Sequence, residues 1–217
     1  MLNFSFLTKY QDMIISGWLT TLEIVILSMT LGFIIGLGMA LLRRSRNRVL
    51  RAIATIWVDV LRNTPFLIQL FFFYYGLPEL GINTDPLVTG IIALGINTSA
   101  GNCEVIRSGL LAVKKGYYEC AAALGYSKMQ TYRFFVIPLA LRVAFKSLVN
   151  NFVNLALTSS VCYSITVMET MGVAKTIVGQ ISRPFEVYFL ILVEFCIFTY
   201  VISFICKFID RKIHVVL

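Results

Sequence analysis

Gly116-Tyr117-Tyr118-Glu119-Cys120-Ala121-Ala122-Ala123-Leu124-Gly125-Tyr126-Ser127-Lys128-Met129-Gln130, followed by Ile137-Pro138, is a charged, alanine-rich stretch set between long hydrophobic runs. Residues 118–124 favour helix, Glu119 falls in the first turn where the helix dipole favours a carboxylate, and Gly125 suits the position that ends a helix. Ser127, with Gln130 three residues on, is a capping box that starts a second short helix. Two short helices joined at a glycine, too polar to cross a bilayer, make a compact knob over residues 116–137.

The chain around this knob has the composition of a membrane protein. Of its 217 residues, 58% are hydrophobic and 14% charged, and the mean hydropathy is +0.82, which is too apolar for a soluble domain. Crossing the hydrocarbon core takes roughly 20 apolar residues, and the segments 14–42, 53–77, 87–113, 138–168 and 187–208 each qualify. Residues 1–12 lack the charged and apolar regions of a cleavable signal, so the first span doubles as the targeting signal. No linker, low-complexity tract or internal repeat divides the chain, and residues 1–217 read as one transmembrane domain, half of a pore.

Lys and Arg set the orientation. Arg43, Arg44, Arg46, Arg48 and Arg51 follow the first span, Lys114, Lys115, Lys128 and Arg133 flank the knob, and Lys207, Arg211 and Lys212 lie near the C-terminus. Lys9, Lys175 and Arg183 stand on the other side. The positive-inside rule then places the N-terminus outside and the C-terminus and knob in the cytoplasm. Basic loops beside anionic lipid account for the net charge of +8, so no nucleic-acid partner is needed. The five cysteines form no C-x-x-C pair and argue against a disulfide framework or zinc site. There is no phosphate-binding G-x-x-x-x-G-K-[ST] loop, so this chain cannot by that route bind ATP alone, and with His214 the sole histidine no Ser/His/Asp, Cys/His or paired-carboxylate arrangement points to a membrane enzyme.

The knob resembles the cytoplasmic loop of the membrane subunits of bacterial ABC importers, whose motif is Glu-Ala-Ala, three residues, Gly, and later an apolar-Pro end. Glu119, Ala121, Gly125 and Pro138 stand at motif positions, and Cys120 replaces the first alanine. The resemblance implies docking into a groove of an ATP-binding subunit through Glu119, Ala121, Ala122 and Gly125. Without it, the same residues read as an ordinary interfacial helix pair.

Three further stretches look like polar amino acid uptake permeases. In Asp59-Val60-Leu61-Arg62-Asn63-Thr64-Pro65-Phe66-Leu67-Ile68-Gln69, Asp59 and Arg62 are three apart and can pair, and Pro65 permits a bend. These residues position the helix, or Arg62 acts in transport directly; Gln69 is a candidate for the pathway. In 97–109, Asn97, Ala100, Glu104 and Arg107 match the family pattern, and Gly101 stands where a tyrosine is usual. Asn97, Gly101 and Asn102 are pathway candidates, while Glu104 and Arg107 form an internal salt bridge or meet the ligand. In 150–161, Leu157 and Thr158 occupy positions where relatives carry a lysine and an acid, and Ser159 and Ser160 keep the hydroxyls. Thr158, Ser159 and Ser160 either line the pathway or hydrogen-bond between helices. Glu23 and Glu194 complete the intramembrane acids, and 169–186 reads as an outer gate, a receptor contact or a plain connecting loop.

These features predict an all-α integral membrane fold of about five spans with a cytoplasmic coupling loop, like a type I ABC importer permease. The resemblance implies an amino acid substrate, a second permease subunit, identical or homologous, an extracytoplasmic binding protein, and two ATPase subunits that hold ATP and Mg. A stand-alone ion-coupled carrier or channel, and a non-transporting sensor or assembly subunit, are the competing readings.

Overall fold

The protein, a computed structural model describing residues 4 and 6–214 with side chains through residue 210, contains nine α-helices and no strand among those residues. The helices are α1 (Phe6–Leu42), α2 (Arg48–Asn63), α3 (Phe66–Glu79), α4 (Pro86–Ala112), α5 (Lys115–Ala123), α6 (Lys128–Thr131), α7 (Ile137–Ser159), α8 (Thr170–Ile181) and α9 (Pro184–His214). The side chains of Arg211, Lys212 and His214 lie outside the described residues.

Helix α4 is the centre of the bundle, packed most extensively against α1 and then against α7, α2 and α3. It replaces the span expected at 87–113 almost residue for residue. Asp85 caps it by accepting from the Leu87 amide at 2.8 Å, and Pro86 occupies the first turn, where its missing amide costs nothing. Gly32 and Gly36, one helical turn apart on α1, let α1 and α4 touch: a Cβ at Gly36 would stand 2.8 Å from Cβ of Asn102. Close approach through small residues is how membrane helices gain packing energy where water no longer drives association.

Three described helical runs are long and apolar enough to cross a membrane: α1, the continuous run Lys128–Ile165, and Pro184–Asp210 within α9. Only 6% of the most apolar stretch of α9 is buried within the chain, so its cover is lipid or another subunit. α4, which carries Asn97, Asn102, Glu104 and Arg107 and packs against four other helices, is not among them. The stretch expected as one span at 53–77 is instead two helices, α2 and α3, bent by 107° at Thr64-Pro65. Proline removes the amide that would continue α2 and biases the preceding residue to extended backbone, and Thr64 accordingly has φ −114° and ψ 137°.

The span expected at 138–168 also has different limits. Its helix begins ten residues earlier, at Lys128, and passes through a π-helical segment, Tyr132–Val136, before α7. Pro138 would clash with the carbonyl of Phe134 in a regular helix; widening the turn, with the Ile137 amide reaching back to the Tyr132 carbonyl, accommodates it. At the far end α7 tightens to a 3-10 turn, Ser160–Ile165, which Thr166 terminates with φ 68°. The knob is therefore one free helix, α5, plus the projecting start of a long one.

The capping box at Ser127 and Gln130 is formed in both directions. Gly125 takes φ 79°, its amide bonding to the Ala122 carbonyl and that of Tyr126 to the Ala121 carbonyl, both at 3.0 Å, which closes α5 with a Schellman turn. Because α5 begins at Lys115, Glu119 lies in its second turn and not the first, as the sequence suggested. Glu119 instead faces Lys115 at 3.0 Å in an exposed pair that contributes little to stability.

Candidate functional site

A polar cavity of about 340 Å³ opens where the α2–α3 break meets α4 and α7. Each wall follows from helical spacing. Leu94, Asn97, Thr98 and Gly101 on α4, and Asn151, Asn154, Leu155 and Thr158 on α7, repeat at intervals of three and four, so each set forms one face. Arg62 and Thr64 close the third side from the broken segment.

Gln69 explains how the break is held. Pro65 has no amide to donate to the Leu61 carbonyl four residues back. The Gln69 side-chain nitrogen supplies that bond at 2.9 Å, and also reaches the Thr64 carbonyl at 3.1 Å and hydroxyl at 2.6 Å. Its oxygen then accepts from Nδ2 of Asn97 at 3.0 Å. Gln69 thus lies behind the cavity, not in it, and fixes one of its walls. Replacing it with leucine removes the bonds to the Leu61 and Thr64 carbonyls at the break, a loss of about 1–3 kcal/mol; the melting temperature of the purified protein in detergent should fall accordingly, and an unchanged value would refute this role.

The other candidates divide in the same way. Asn97, Gly101 and Thr158 line the cavity. Asn102 is fully buried and accepts from Nδ2 of Asn151 at 3.1 Å, so it positions a lining residue from behind. Ser159 is buried and donates to the Ala156 carbonyl, and Ser160 donates to that of Leu157, both at 2.7 Å, so neither hydroxyl faces the cavity. Glu104 binds Arg107 at 2.9 and 3.1 Å, the pair anticipated from their spacing, and it also accepts from Arg43 at the end of α1. The cluster ties the first basic connection to α4, away from the cavity lining.

Asp59 and Arg62 form no ion pair, contrary to their i, i+3 spacing. Asp59 is exposed, while Arg62 lines the cavity together with Thr64, immediately before Pro65. Asn151, Asn154 and Thr98 were not selected from the sequence, although the i, i+3, i+7 spacing of Asn151, Asn154 and Thr158 carried the signal. Glu23 is exposed and Glu194 half-buried, and neither lines the cavity. Glu169, which opens the segment read as a gate or loop, is fully buried and caps α8 by accepting from the Met171 and Gly172 amides. The Thr170 hydroxyl meets that of Thr21 on α1 at 2.8 Å, so this segment is packed into the bundle and is no free loop. Among the described residues no cluster of three His, Cys, Asp or Glu side chains could hold a metal ion.

A helical bundle with a broken second segment, a polar cavity between its central helices and a capped knob at one end defines a transport-system permease subunit. The chain belongs to the family of binding-protein-dependent transport system inner membrane components, which matches residues 14–215. It is 34% identical over 194 residues to the nopaline transport system permease protein NocM of Agrobacterium fabrum, covering 85% of this chain and 80% of that one. It is 33% identical over 217 residues to the putative glutamine transport system permease protein GlnP of Rickettsia prowazekii, covering 97% and 98%. Its fold matches a chain from the crystal structure of an amino acid ABC transporter with histidines, with a TM-score of 0.88 and 31% identity over 98% of this chain and 99% of that one. The MetNI methionine ABC transporter shares the fold, with a TM-score of 0.80 at 22% identity over 94% and 98%. The chain is thus a membrane-spanning permease subunit of an ABC importer.

Proposed function

We propose that this permease subunit moves a polar amino acid through the cavity between α4, α7 and the α2–α3 break, driven by ATP hydrolysis in a separate subunit. The observation that carries the reading is the pair of polar helix faces lining that cavity. Polar groups inside a membrane protein are costly unless they meet a partner, water or a ligand. The amino acid transport named for the similar permeases and for the matching structure supports the same substrate class.

In this reading residues 1–217 form one domain of five spans, with α4 as the central span and α2–α3 together as a broken one. The N-terminus faces outward and the C-terminus and knob face the cytoplasm. The support is charge asymmetry: the basic α1–α2 connection shares one end of the bundle with the knob, Arg44 donating to the Leu110 carbonyl at 2.6 Å near the start of α5. Lys175 and Arg183 lie on α8 and just beyond it, where Val173 and Ile177 pack against Phe6 and Tyr10 at the opposite end.

Two such subunits, identical or homologous, would complete the pore, with a binding protein delivering substrate at the α8 end. Two ATPase subunits holding ATP and Mg would dock at the knobs; this chain supplies no cofactor. Ala122 and Gly125 are exposed there, while Ala121 is buried and lets α5 lie close against its support. ATP-driven movement of the knob would be passed to the cavity through the helix that runs unbroken from Lys128 to Thr158. Such coupling requires the nucleotide states to favour the two conformations unequally.

Glu119→Lys tests the docking. It reverses an exposed charge and places a second cation beside Lys115, so membrane insertion should persist while recovery of the ATPase on the tagged chain drops about tenfold, the effect of a lost charged contact. Undiminished recovery and uptake would remove Glu119 from the docking surface.

A further inference from the structure

We infer that the cavity selects an amino acid with an uncharged side chain, and that Arg62 binds its carboxylate. The inference rests on the cavity being the substrate site. Among the described residues Arg62 is the only ionisable one lining it. Its guanidinium forms no ion pair with any described acid, and a planar fork of N–H donors suits the two oxygens of a carboxylate.

Acceptors for an ammonium are also present. The Nδ2 atoms of Asn97 and Asn151 are engaged by Gln69 and Asn102, which leaves each Oδ1 unengaged by those bonds. The Thr158 hydroxyl spends its proton on the Asn154 carbonyl at 2.7 Å, leaving its lone pairs available. Because three bonds fix the Gln69 nitrogen, its oxygen must face Asn97, and the orientation of the Asn97 amide follows.

The cavity holds no charge for a side chain. No described Asp or Glu lines it, and the sole acid of α4, Glu104, is held between Arg43 and Arg107. A lysine or arginine substrate would bring a second cation beside Arg62 with no counter-charge, and desolvating an unpaired charge is expensive. An acidic side chain would bring a second carboxylate to a site with one guanidinium. A side-chain amide or hydroxyl needs neither, and the remaining Asn and Thr groups can bond to it.

The test is equilibrium binding of radiolabelled L-glutamine, L-arginine and L-glutamate to the complete permease–ATPase complex in nanodiscs, without the binding protein, so that selectivity reports the membrane site alone. Glutamine is expected to bind at least about tenfold more tightly than either charged amino acid, and Arg62→Gln to weaken glutamine binding about tenfold or more, as expected for a lost charged hydrogen bond. Undiminished co-purification of the ATPase subunit and an unchanged melting temperature would separate that loss from misfolding. The near-isosteric Asn154→Asp puts a carboxylate in the cavity and should raise arginine binding, which tests the idea even if Arg62→Gln fails to fold. Equal or tighter binding of arginine or glutamate by the wild type, or unaltered glutamine binding by Arg62→Gln, overturns the inference while leaving the site an amino acid site. No binding of any common amino acid would overturn the underlying reading as well.

Discussion

Replacing Gly109 with valine is expected to part α4 from α7 and abolish uptake. A Cβ at position 109 would stand 2.4 Å from the carbonyl oxygen of Ala140 and 3.1 Å from both the Ala140 carbonyl carbon and the Ala144 Cβ. None of these atoms is the mobile end of a long side chain, so a helix must move. Overpacking of this kind costs about 1–3 kcal/mol and occasionally more, and a clash with backbone belongs at the upper end. The cost is also functional, because Asn97 and Gly101 face Asn151 and Thr158 across these two helices. The variant should show a lower melting temperature in detergent and no ATP-dependent uptake. If Gly109→Val melts and transports like the wild type, the close α4–α7 crossing is wrong.

Gly101→Tyr should act on the cavity without breaking the bundle. Gly101 lines the cavity, and a Cβ there would already come within 3.3 Å of Nδ2 of Asn151. The ring would occupy much of the 340 Å³ and press on an amide that Asn102 holds in place. Assembly with the ATPase should survive, since the atoms nearest the new Cβ belong to the Asn151 side chain and not to helix backbone. Affinity for the present substrate should fall about tenfold, equivalent to about 1.4 kcal/mol, with the loss greatest for long side chains. Binding measured across amino acids of increasing length checks this; an unchanged profile would show that position 101 does not shape the site.

Local signals in the sequence were reliable where the governing interactions are local. Ser127 with Gln130, and Gly125 after an alanine run, encode caps that need only neighbouring atoms, and both are formed. The range of α4, Pro86–Ala112, lies within one residue of the apolar run at 87–113. Less legible were features that depend on distant partners. Pro65 announced a bend, but a 107° break rather than a kinked span becomes stable only because Gln69 replaces the proline's missing amide and α4 covers the corner. Pro138 suggested a helix start, yet the π segment carries the helix through it.

The cavity was partly legible for a related reason. Asn97, Gly101 and Thr158 were found as polar or small residues among apolar ones. That criterion also selected Ser159 and Ser160, whose hydroxyls bond to carbonyls of their own helix, a common way to satisfy such groups without any ligand. It also selected Gln69 and Asn102, which stand one layer behind the cavity lining. Arg62 was paired on paper with Asp59 because three-residue spacing allows that bond; the fold turns it to the cavity instead, and no local rule encodes that choice.

ATP-driven uptake by the reconstituted complex tests the central claim most directly. The chain would be placed in proteoliposomes with its ATPase and any second permease subunit, with binding protein and labelled glutamine on the outer side and ATP inside. The account predicts accumulation that requires ATP and the ATPase and is lost with Arg62→Gln. Uptake by the chain alone that follows an ion gradient, or a complex that hydrolyses ATP and moves no amino acid, would contradict it.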